Sequence, residues 1–245
     1  MAFQTIFKRY ELKYMLTLDE KEAILEEIAP YMILDEYGRT TIRNIYFDTD
    51  SFRLIRRSIE KPVYKEKLRI RSYSLASPDS TVFVELKKKY DGVVYKRRIA
   101  LTEALAMSWL TGKAHCPVDT QISREINYFI SHYSPVLPKL FLSYEREAFR
   151  ERNGGDFRVT FDENIFARMN DLSLCEPPCG MAILPEGRVL MEIKSSGAIP
   201  LWMTEILSRH KIYKTSFSKY GRAYLDCILP GKLHSEEQKE IINHA

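Results

Sequence analysis

Four basic residues fall on alternate positions of the segment Tyr64–Tyr73, which reads Y-K-E-K-L-R-I-R-S-Y; they are Lys65, Lys67, Arg69 and Arg71. Successive side chains of a β-strand point to opposite faces, so all four cations are predicted to project from one side of one strand. Stacked like charges repel each other and add nothing to an apolar core. Such a row favours the binding of a polyanion. The alternative is a solvated sheet face whose charges deter edge pairing.

The same pattern recurs on six further predicted strands, where charged residues share one side and the other side is often apolar. The charged sides carry Arg9, Glu11 and Lys13; Glu85, Lys87 and Lys89; Lys96 and Arg98; Arg146; Arg158, Thr160 and Asp162; and Arg188, Glu192 and Lys194. If the sheet curls with its apolar faces outward, the charged faces line a lumen. Unpaired buried charges are costly, so this lumen must hold water, counter-ions or an anionic ligand.

Two carboxylates on these faces are candidate metal ligands. Glu11 and Glu192 each lie two residues before a lysine on the same side of a strand. Mg²⁺ and Mn²⁺ prefer oxygen ligands, and Mg²⁺ is usually held by one or two carboxylates together with phosphate oxygens of the substrate. The alternative for each glutamate is a salt bridge to a neighbouring cation, and Glu85 is a weaker candidate of the same kind.

A further basic pair lies near the C-terminus, in the segment T-S-F-S-K-Y-G-R. Lys219 and Arg222 are three residues apart, which predicts that they share one face of a short helix. Ser216 or Ser218 would cap that helix, and a helix N-terminus attracts anions. The alternative is a solvated surface helix.

The bulk composition limits the class of protein. Of 245 residues, 37 are Lys or Arg and 33 are Asp or Glu, so the net charge of +4 is too small for a nonspecific nucleic-acid coat. The four cysteines match no common zinc spacing and are expected to be reduced thiols. No signal-peptide core and no stretch of roughly 20 apolar residues is evident, so the expected location is the cytoplasm.

The elements that position these residues are mostly strands. Turn residues at Tyr90-Asp91-Gly92 and at 152–156 predict two antiparallel hairpins. The predicted strands are Ile6–Tyr14, Thr40–Asp48, Val63–Tyr73, Thr81–Lys89, Val93–Leu101, Lys139–Arg150, Phe157–Ile165 and Arg188–Ser196, and the predicted helices are Thr17–Tyr31, Thr102–Thr111, Val118–Tyr133, Leu201–His210 and Ser216–Ile228. We expect an α+β fold, an eight-stranded antiparallel β-barrel with flanking helices, forming one domain over residues 1–230 with a polar tail at 231–245.

Seven motifs, taken together and in this order, resemble a known family. They are R-Y-E-L-K-Y, N-I-Y-F-D-T, K-L-R-I-R-S-Y, V-F-V-E-L-K-K-K, V-V-Y-K-R-R, V-L-M-E-I-K and S-F-S-K-Y, and they extend from about Phe7 to Asp226. The chain resembles the VTC-type polyphosphate polymerase domain, a member of the triphosphate tunnel metalloenzyme superfamily alongside the CYTH phosphatases. Domains of this type transfer the γ-phosphate of ATP onto a growing polyphosphate chain.

The resemblance implies roles for individual residues. Mn²⁺ or Mg²⁺ would be held by Glu192, and the position of Glu11 on its strand nominates it as a second ligand. The catalytic cations would be Arg69, Arg71, Lys87 and Arg146, and the substrate-binding cations would be Lys13, Lys67, Lys96, Arg98, Arg158, Lys194 and Lys219. Arg222 is added to the substrate-binding cations because of its spacing from Lys219. The hydrolase branch typically carries Glu-x-Glu-x-Lys on its first strand, whereas this chain has Arg9, Glu11 and Lys13, which favours a longer polyanion over hydrolysis.

The expected activity is therefore a metal-dependent polyphosphate polymerase acting on ATP or triphosphate and on polyphosphate. Eukaryotic members also carry an SPX domain and a membrane segment, neither of which this sequence contains, so a membrane-protein partner is one option. Two alternatives stay open: a triphosphatase of the same fold, and a non-catalytic binder of polyphosphate or nucleic acid. Nucleic acid is the less expected ligand because base binding usually needs aromatic stacking platforms.

Overall fold

A computed structural model describes residues 10–231 of the chain, which form ten strands and six α-helices. The strands are β1 (Tyr10–Thr17), β2 (Met32–Asp48), β3 (Tyr64–Ser72), β4 (Thr81–Tyr90), β5 (Val93–Thr102), β6 (Leu137–Glu151), β7 (Arg158–Arg168), β8 (Met181–Ala182), β9 (Arg188–Ser195) and β10 (Lys214–Thr215). The helices are α1 (Leu18–Ile28), α2 (Arg53–Ile59), α3 (Glu103–Leu110), α4 (Gln121–Tyr133), α5 (Leu201–Arg209) and α6 (Lys219–Ala223), and a π-helical turn follows at Tyr224–Ile228. Arg9 and the predicted tail beyond its first residue lie outside the described residues.

All ten strands belong to one antiparallel sheet with the order β10-β1-β9-β7-β6-β2-β3-β4-β5, and β8 adds to β7. The predicted hairpin between β4 and β5 is confirmed. Asp91 and Gly92 have φ angles of 42° and 80°, the left-handed conformations that a tight two-residue hairpin requires at both central positions. The hairpin fixes the register that places Glu85 opposite Arg98.

The prediction of a closed eight-stranded barrel was wrong, because the sheet is open and has ten strands. Closure would pair β1 with β5, but the edge of β1 opposite β9 is occupied by β10, where Lys13 pairs with Thr215. The sheet is nevertheless strongly curved. Glu11 on β1 and Lys87 on β4 approach to 3.5 Å although five strands separate β1 from β4 in the sheet order.

Apolar side chains on the convex face are covered by helices, as the alternating pattern predicted. Leu68 and Ile70 of β3 pack with Trp109 of α3 and Phe129 of α4. A second cluster joins β1, β9 and β7 to α1 and α5. A third lies on the concave face, where α2, α6 and the π-helical turn cover apolar residues of β6 such as Leu142. These helices fill one part of the concave face and leave the remainder to the charged residues.

The four cysteines are free thiols, as predicted. In the part of the chain that the structure describes, no helix combines the length and the apolar character needed to cross a lipid bilayer.

Candidate functional site

The charged part of the concave face encloses a cavity of about 830 Å³. Eleven cationic side chains line it, against three carboxylates. The cations are Lys13, Lys67, Arg69, Arg71, Lys87, Lys96, Arg97, Arg98, Arg146, Lys194 and Lys219, and the carboxylates are Glu11, Glu85 and Glu192. The structure thus brings together twelve of the fourteen residues that the sequence nominated, from six strands and helix α6.

Strand alternation and register explain how β3, β4 and β5 form one wall of this cavity. Every second residue faces inward, and the antiparallel register places inward residues of neighbouring strands side by side. Lys67 lies opposite Lys87, which lies opposite Lys96. One pleat further along, Arg69 lies opposite Glu85, and Glu85 lies opposite Arg98.

Glu85 is the counter-ion of this wall and is only 1% exposed. The Arg69 guanidinium donates to it at 2.9 and 2.7 Å, and that of Arg98 at 2.9 and 2.6 Å. The Lys96 ammonium lies 2.6 Å away. Burial alone would raise the pKa of this carboxyl, but the nearby cations Arg69, Arg71 and Lys96 lower it far below its usual range. Glu85 is therefore a permanent anion that fixes the guanidinium groups.

Asp162 plays the corresponding role on the other wall and is fully buried. The Arg146 guanidinium donates to both of its carboxylate oxygens, at 2.5 and 2.6 Å, and the Lys219 ammonium lies 2.5 Å from Asp162 Oδ2. Burial raises the pKa of Asp162, whereas Arg146 and Lys219 lower it, and the net direction is downward. The sequence indicated that Asp162 faces inward but not that it would anchor two cations.

Glu192 is surrounded by four cations. Its carboxylate oxygens lie 3.0 Å from Lys194 and Lys219 and 3.4 Å from Lys13 and Arg146. Burial opposes ionisation, but Lys219, Lys194, Lys13 and Arg146 hold the pKa well below its usual range.

Neutral side chains that the sequence did not single out complete the scaffold. Arg71 donates to Asn44 Oδ1 at 2.9 Å and to the Tyr144 hydroxyl at 3.0 Å, and Arg69 donates to the Tyr46 hydroxyl at 3.0 Å. Charge-assisted bonds of this kind hold a guanidinium plane in a set orientation. The sequence signal for these residues was weak, since Asn and Tyr are common on any sheet.

Helix α6 is fixed so that Lys219 reaches Asp162. Ser218 caps the helix by accepting from the Gly221 amide at 3.2 Å. The Tyr220 hydroxyl donates to buried Asp48 at 2.9 Å, and Asp48 also accepts from backbone amides at the start of α2. Of the two predicted capping residues, Ser216 and Ser218, it is Ser218 that caps the helix.

Lys67 differs from the other cations that line the cavity because it forms no ion pair within residues 10–231; its ammonium donates to Ser218 Oγ at 3.2 Å. Burial, followed by the charges of Lys87, Lys65 and Lys13, lowers its pKa to about 7. An anion placed beside Lys67 would reverse that shift.

Two nominated cations lie outside the cavity. Arg158, at the first position of β7, is 45% exposed and pairs with Asp35 at 3.4 Å. Arg222 does not share the inward face with Lys219: it is 54% exposed and pairs with Asp226 at 2.6 Å, one helical turn further along. Nearby carboxylates hold both side chains in solvent.

The donor set beside Lys13 suits a hard divalent cation. Glu11 and Glu192 lie on neighbouring strands, and the Lys13 ammonium lies 3.3 and 3.4 Å from their oxygens, so the two carboxylates already share one cation. Burial and Glu192 raise the pKa of Glu11, but Lys87, Lys13 and Lys194 lower it below the usual range, so it is ionised. Within residues 10–231 no group of three His, Cys, Asp or Glu side chains is arranged to hold a metal ion, so two carboxylates plus substrate phosphate oxygens are the available ligands.

Comparison with solved structures shows the same fold in one of them. The crystal structure of a candidate adenylate cyclase from Bacillus halodurans superposes with a TM-score of 0.55 at 16% identity, covering 88% of this chain and 96% of that chain. A candidate adenylate cyclase from Vibrio parahaemolyticus gives 0.47 at 11% identity, covering 89% of this chain and 98% of that one. A Pyrococcus horikoshii protein gives 0.44 at 14% identity, covering 95% and 99%.

Comparison with curated protein sequences gave no match. A family model described as the VTC domain matches residues 8–227, which include all fourteen nominated residues. The curved antiparallel sheet, the cation-lined cavity and this match over most of the chain agree, and the chain belongs to the VTC domain family.

Proposed function

We propose that this protein is a polyphosphate polymerase that transfers the γ-phosphate of ATP to a growing polyphosphate chain. The observation that carries this proposal is the cavity, in which eleven cationic side chains face three carboxylates. Asp162 and Glu125, which lie behind the lining, pair with Arg146 and Arg97, so eleven cationic groups against five carboxylates leave an excess of six around a space of about 830 Å³. This excess favours a multiply charged anion, such as a triphosphate joined to a phosphate polymer.

Positioning and electrostatics would perform the reaction. Phosphoryl transfer needs little covalent chemistry from the protein but strong stabilisation of charge on the transferred group. Arg69 and Arg71 on one wall and Arg146 on the other are held by Glu85, Asn44 and Asp162, so they need no reorganisation when charge moves. A divalent cation held by Glu11 and Glu192 would neutralise further charge on the phosphate oxygens.

The cavity favours transfer to a phosphate over transfer to water. Glu11, Glu85 and Glu192 are all held ionised by cations, which makes them weak bases. No His or Cys is among the described residues that line the cavity. Water needs activation, whereas the terminal phosphate of a chain is already an anion, so the polymerase reaction needs no base.

Incubation of the purified protein with ATP and Mn²⁺ tests the proposal, with polyphosphate, ADP and orthophosphate measured separately. We expect ADP and polyphosphate in wild type, and a loss of about 100-fold or more in Arg71→Ala, since a positioned donor is removed. Arg209→Ala is the matched control because Arg209 is an exposed cation of α5 that pairs with Glu27.

Other products would refute the proposal in distinguishable ways. Orthophosphate without polymer indicates a triphosphatase. Tight binding of polyphosphate without turnover, unaffected by Glu192→Ala, indicates a binding module.

A further inference from the structure

Four lysines form two like-charged cross-strand pairs on the inward face of β3 and β4. Lys65 lies opposite Lys89, and Lys67 lies opposite Lys87. The two pairs are one pleat apart, about 7 Å along the strands. We refer to these four residues as the lysine ladder.

The ladder lacks the carboxylates that stabilise the rest of the site. Lys65, Lys67 and Lys89 form no ion pair within residues 10–231, and Lys87 meets Glu11 only at 3.5 Å. Elsewhere the cations have buried counter-ions, such as Glu85 beside Arg69 and Arg98, or Asp162 beside Arg146. Like charges directly opposite each other destabilise a sheet, and a bound external anion would relieve this repulsion.

The ladder also extends beyond the cavity. Lys67 and Lys87 line the cavity, whereas Lys65 and Lys89 lie one pleat further out, at the start of β3 and the end of β4. Lys89 is exposed, and the Lys65 ammonium donates to the Ser58 carbonyl of α2 at 3.1 Å, which leaves further donors of that ammonium for a ligand. Burial and the charges of Lys89, Lys61 and Lys87 lower the pKa of Lys65, as expected for an ammonium group that has cations but no anion beside it.

We infer that the lysine ladder is a binding track along which a linear phosphate polymer, longer than the triphosphate in the cavity, leaves past the start of β3. The inference rests on the proposed function and adds to it two binding residues outside the cavity and the end of the site at which the polymer emerges. A triphosphate is accommodated by the cavity alone, so the outer pair, Lys65 and Lys89, serves only a chain that continues outward.

The composition of this face favours a polymer without bases. Nucleic acids are usually bound by aromatic platforms on which bases stack. Tyr64 and Tyr90 flank the outer pair in the sequence, but strand alternation turns them to the opposite face. The residue across from Lys89 on β5 is Val94.

Direct binding measurements test the track without reference to catalysis. Inorganic triphosphate and long-chain polyphosphate are titrated into wild type, a Lys65→Gln/Lys89→Gln double variant and Lys88→Gln. Lys88 is the matched control because it lies on the opposite face and pairs with Glu125 at 3.4 Å. We expect the double variant to bind polyphosphate about tenfold more weakly and its salt slope to become shallower by about 1.4, since each lost contact removes about 0.7. Triphosphate affinity should change less than about twofold, because the cavity contacts are retained, and thermal melting checks the fold of each variant.

Each of the other outcomes decides about the track, the ligand class or the proposed function. Unchanged polyphosphate affinity in the double variant, or an equal loss for triphosphate and polyphosphate, overturns the track. If single-stranded RNA competes as well as polyphosphate at equal phosphate concentration, the ligand class is wrong. If wild type does not bind triphosphate, the proposed function fails, whereas polyphosphate binding that still depends on Lys65 and Lys89 supports the track alone.

Discussion

We expect the affinity of wild type for inorganic triphosphate to fall as the pH rises above about 7, and Lys67→Arg to lose this dependence. In the free protein, burial and the neighbouring lysines lower the pKa of Lys67 to about 7. A bound anion favours the charged ammonium and raises the pKa towards the ordinary lysine value of about 10.4. Binding therefore takes up a proton at any pH between these two values.

The magnitude follows from the same pKa. Below pH 7 the ammonium is already charged, and binding gains nothing from a further fall in pH. At pH 9, only about 1% of free molecules carry the charge, so the dissociation constant rises up to about 100-fold relative to pH 6. Arginine stays charged throughout this range and should bind with no such loss.

Isothermal titration calorimetry at pH 6, 7, 8 and 9 measures the effect. Triphosphate itself titrates, but equally for both proteins, so the ratio of their dissociation constants isolates Lys67. Titrations in buffers of different ionisation enthalpy should show about half a proton more taken up by wild type than by Lys67→Arg at pH 7, and nearly one at pH 8.

A ratio that stays constant from pH 6 to pH 9 would refute the reasoning. Lys67→Gln adds a second check, because it should bind weakly at every pH without the slope. If Lys67→Gln instead binds as wild type does at pH 6, Lys67 does not contact the anion.

The remaining predictions concern the buried carboxylate and the metal. Asp162→Ala leaves two buried cations without their main counter-ion and should lower the free energy of unfolding by about 3–5 kcal/mol in urea denaturation. Asp226→Ala, which breaks an exposed pair within a helix, should cost about 0.5 kcal/mol or less, and similar losses for both would contradict the assignment. Glu11→Gln should raise the Mn²⁺ concentration for half-maximal activity about tenfold or more, while exposed Glu22→Gln should leave it unchanged; equal requirements would exclude Glu11 as a ligand.

The sequence predicted which residues face the lumen because strand alternation is a local rule. Arg69 and Arg71 could be assigned to one face from spacing alone. Asp91-Gly92 predicted the β4–β5 hairpin because few residue types tolerate the left-handed conformation that a two-residue hairpin needs at both positions. The counter-ions were harder to predict. Asp162 and Arg146 are 16 residues apart in the sequence and lie opposite each other on β7 and β6. Their contact therefore depends on the register between these two strands, which neither strand determines alone.

The errors have a common physical origin, because contacts formed in the folded protein override the pattern of the local sequence. Arg158 and Arg222 had the right residue type and spacing, but they pair with Asp35 and Asp226 outside the cavity. Barrel closure failed for a related reason. The pairing of β10 with β1 involves two residues, which carry no periodic signal.

The open sheet changes how a polymer can enter the protein. A closed barrel admits a chain only by threading one end through its mouth. Here β1 and β4 meet across the opening through the contact between Glu11 and Lys87 at 3.5 Å, and Lys67 meets Ser218 at 3.2 Å. Parting these two contacts breaks side-chain interactions and no backbone ladder. Under the proposed function, we therefore expect a polyphosphate chain with both ends blocked to bind.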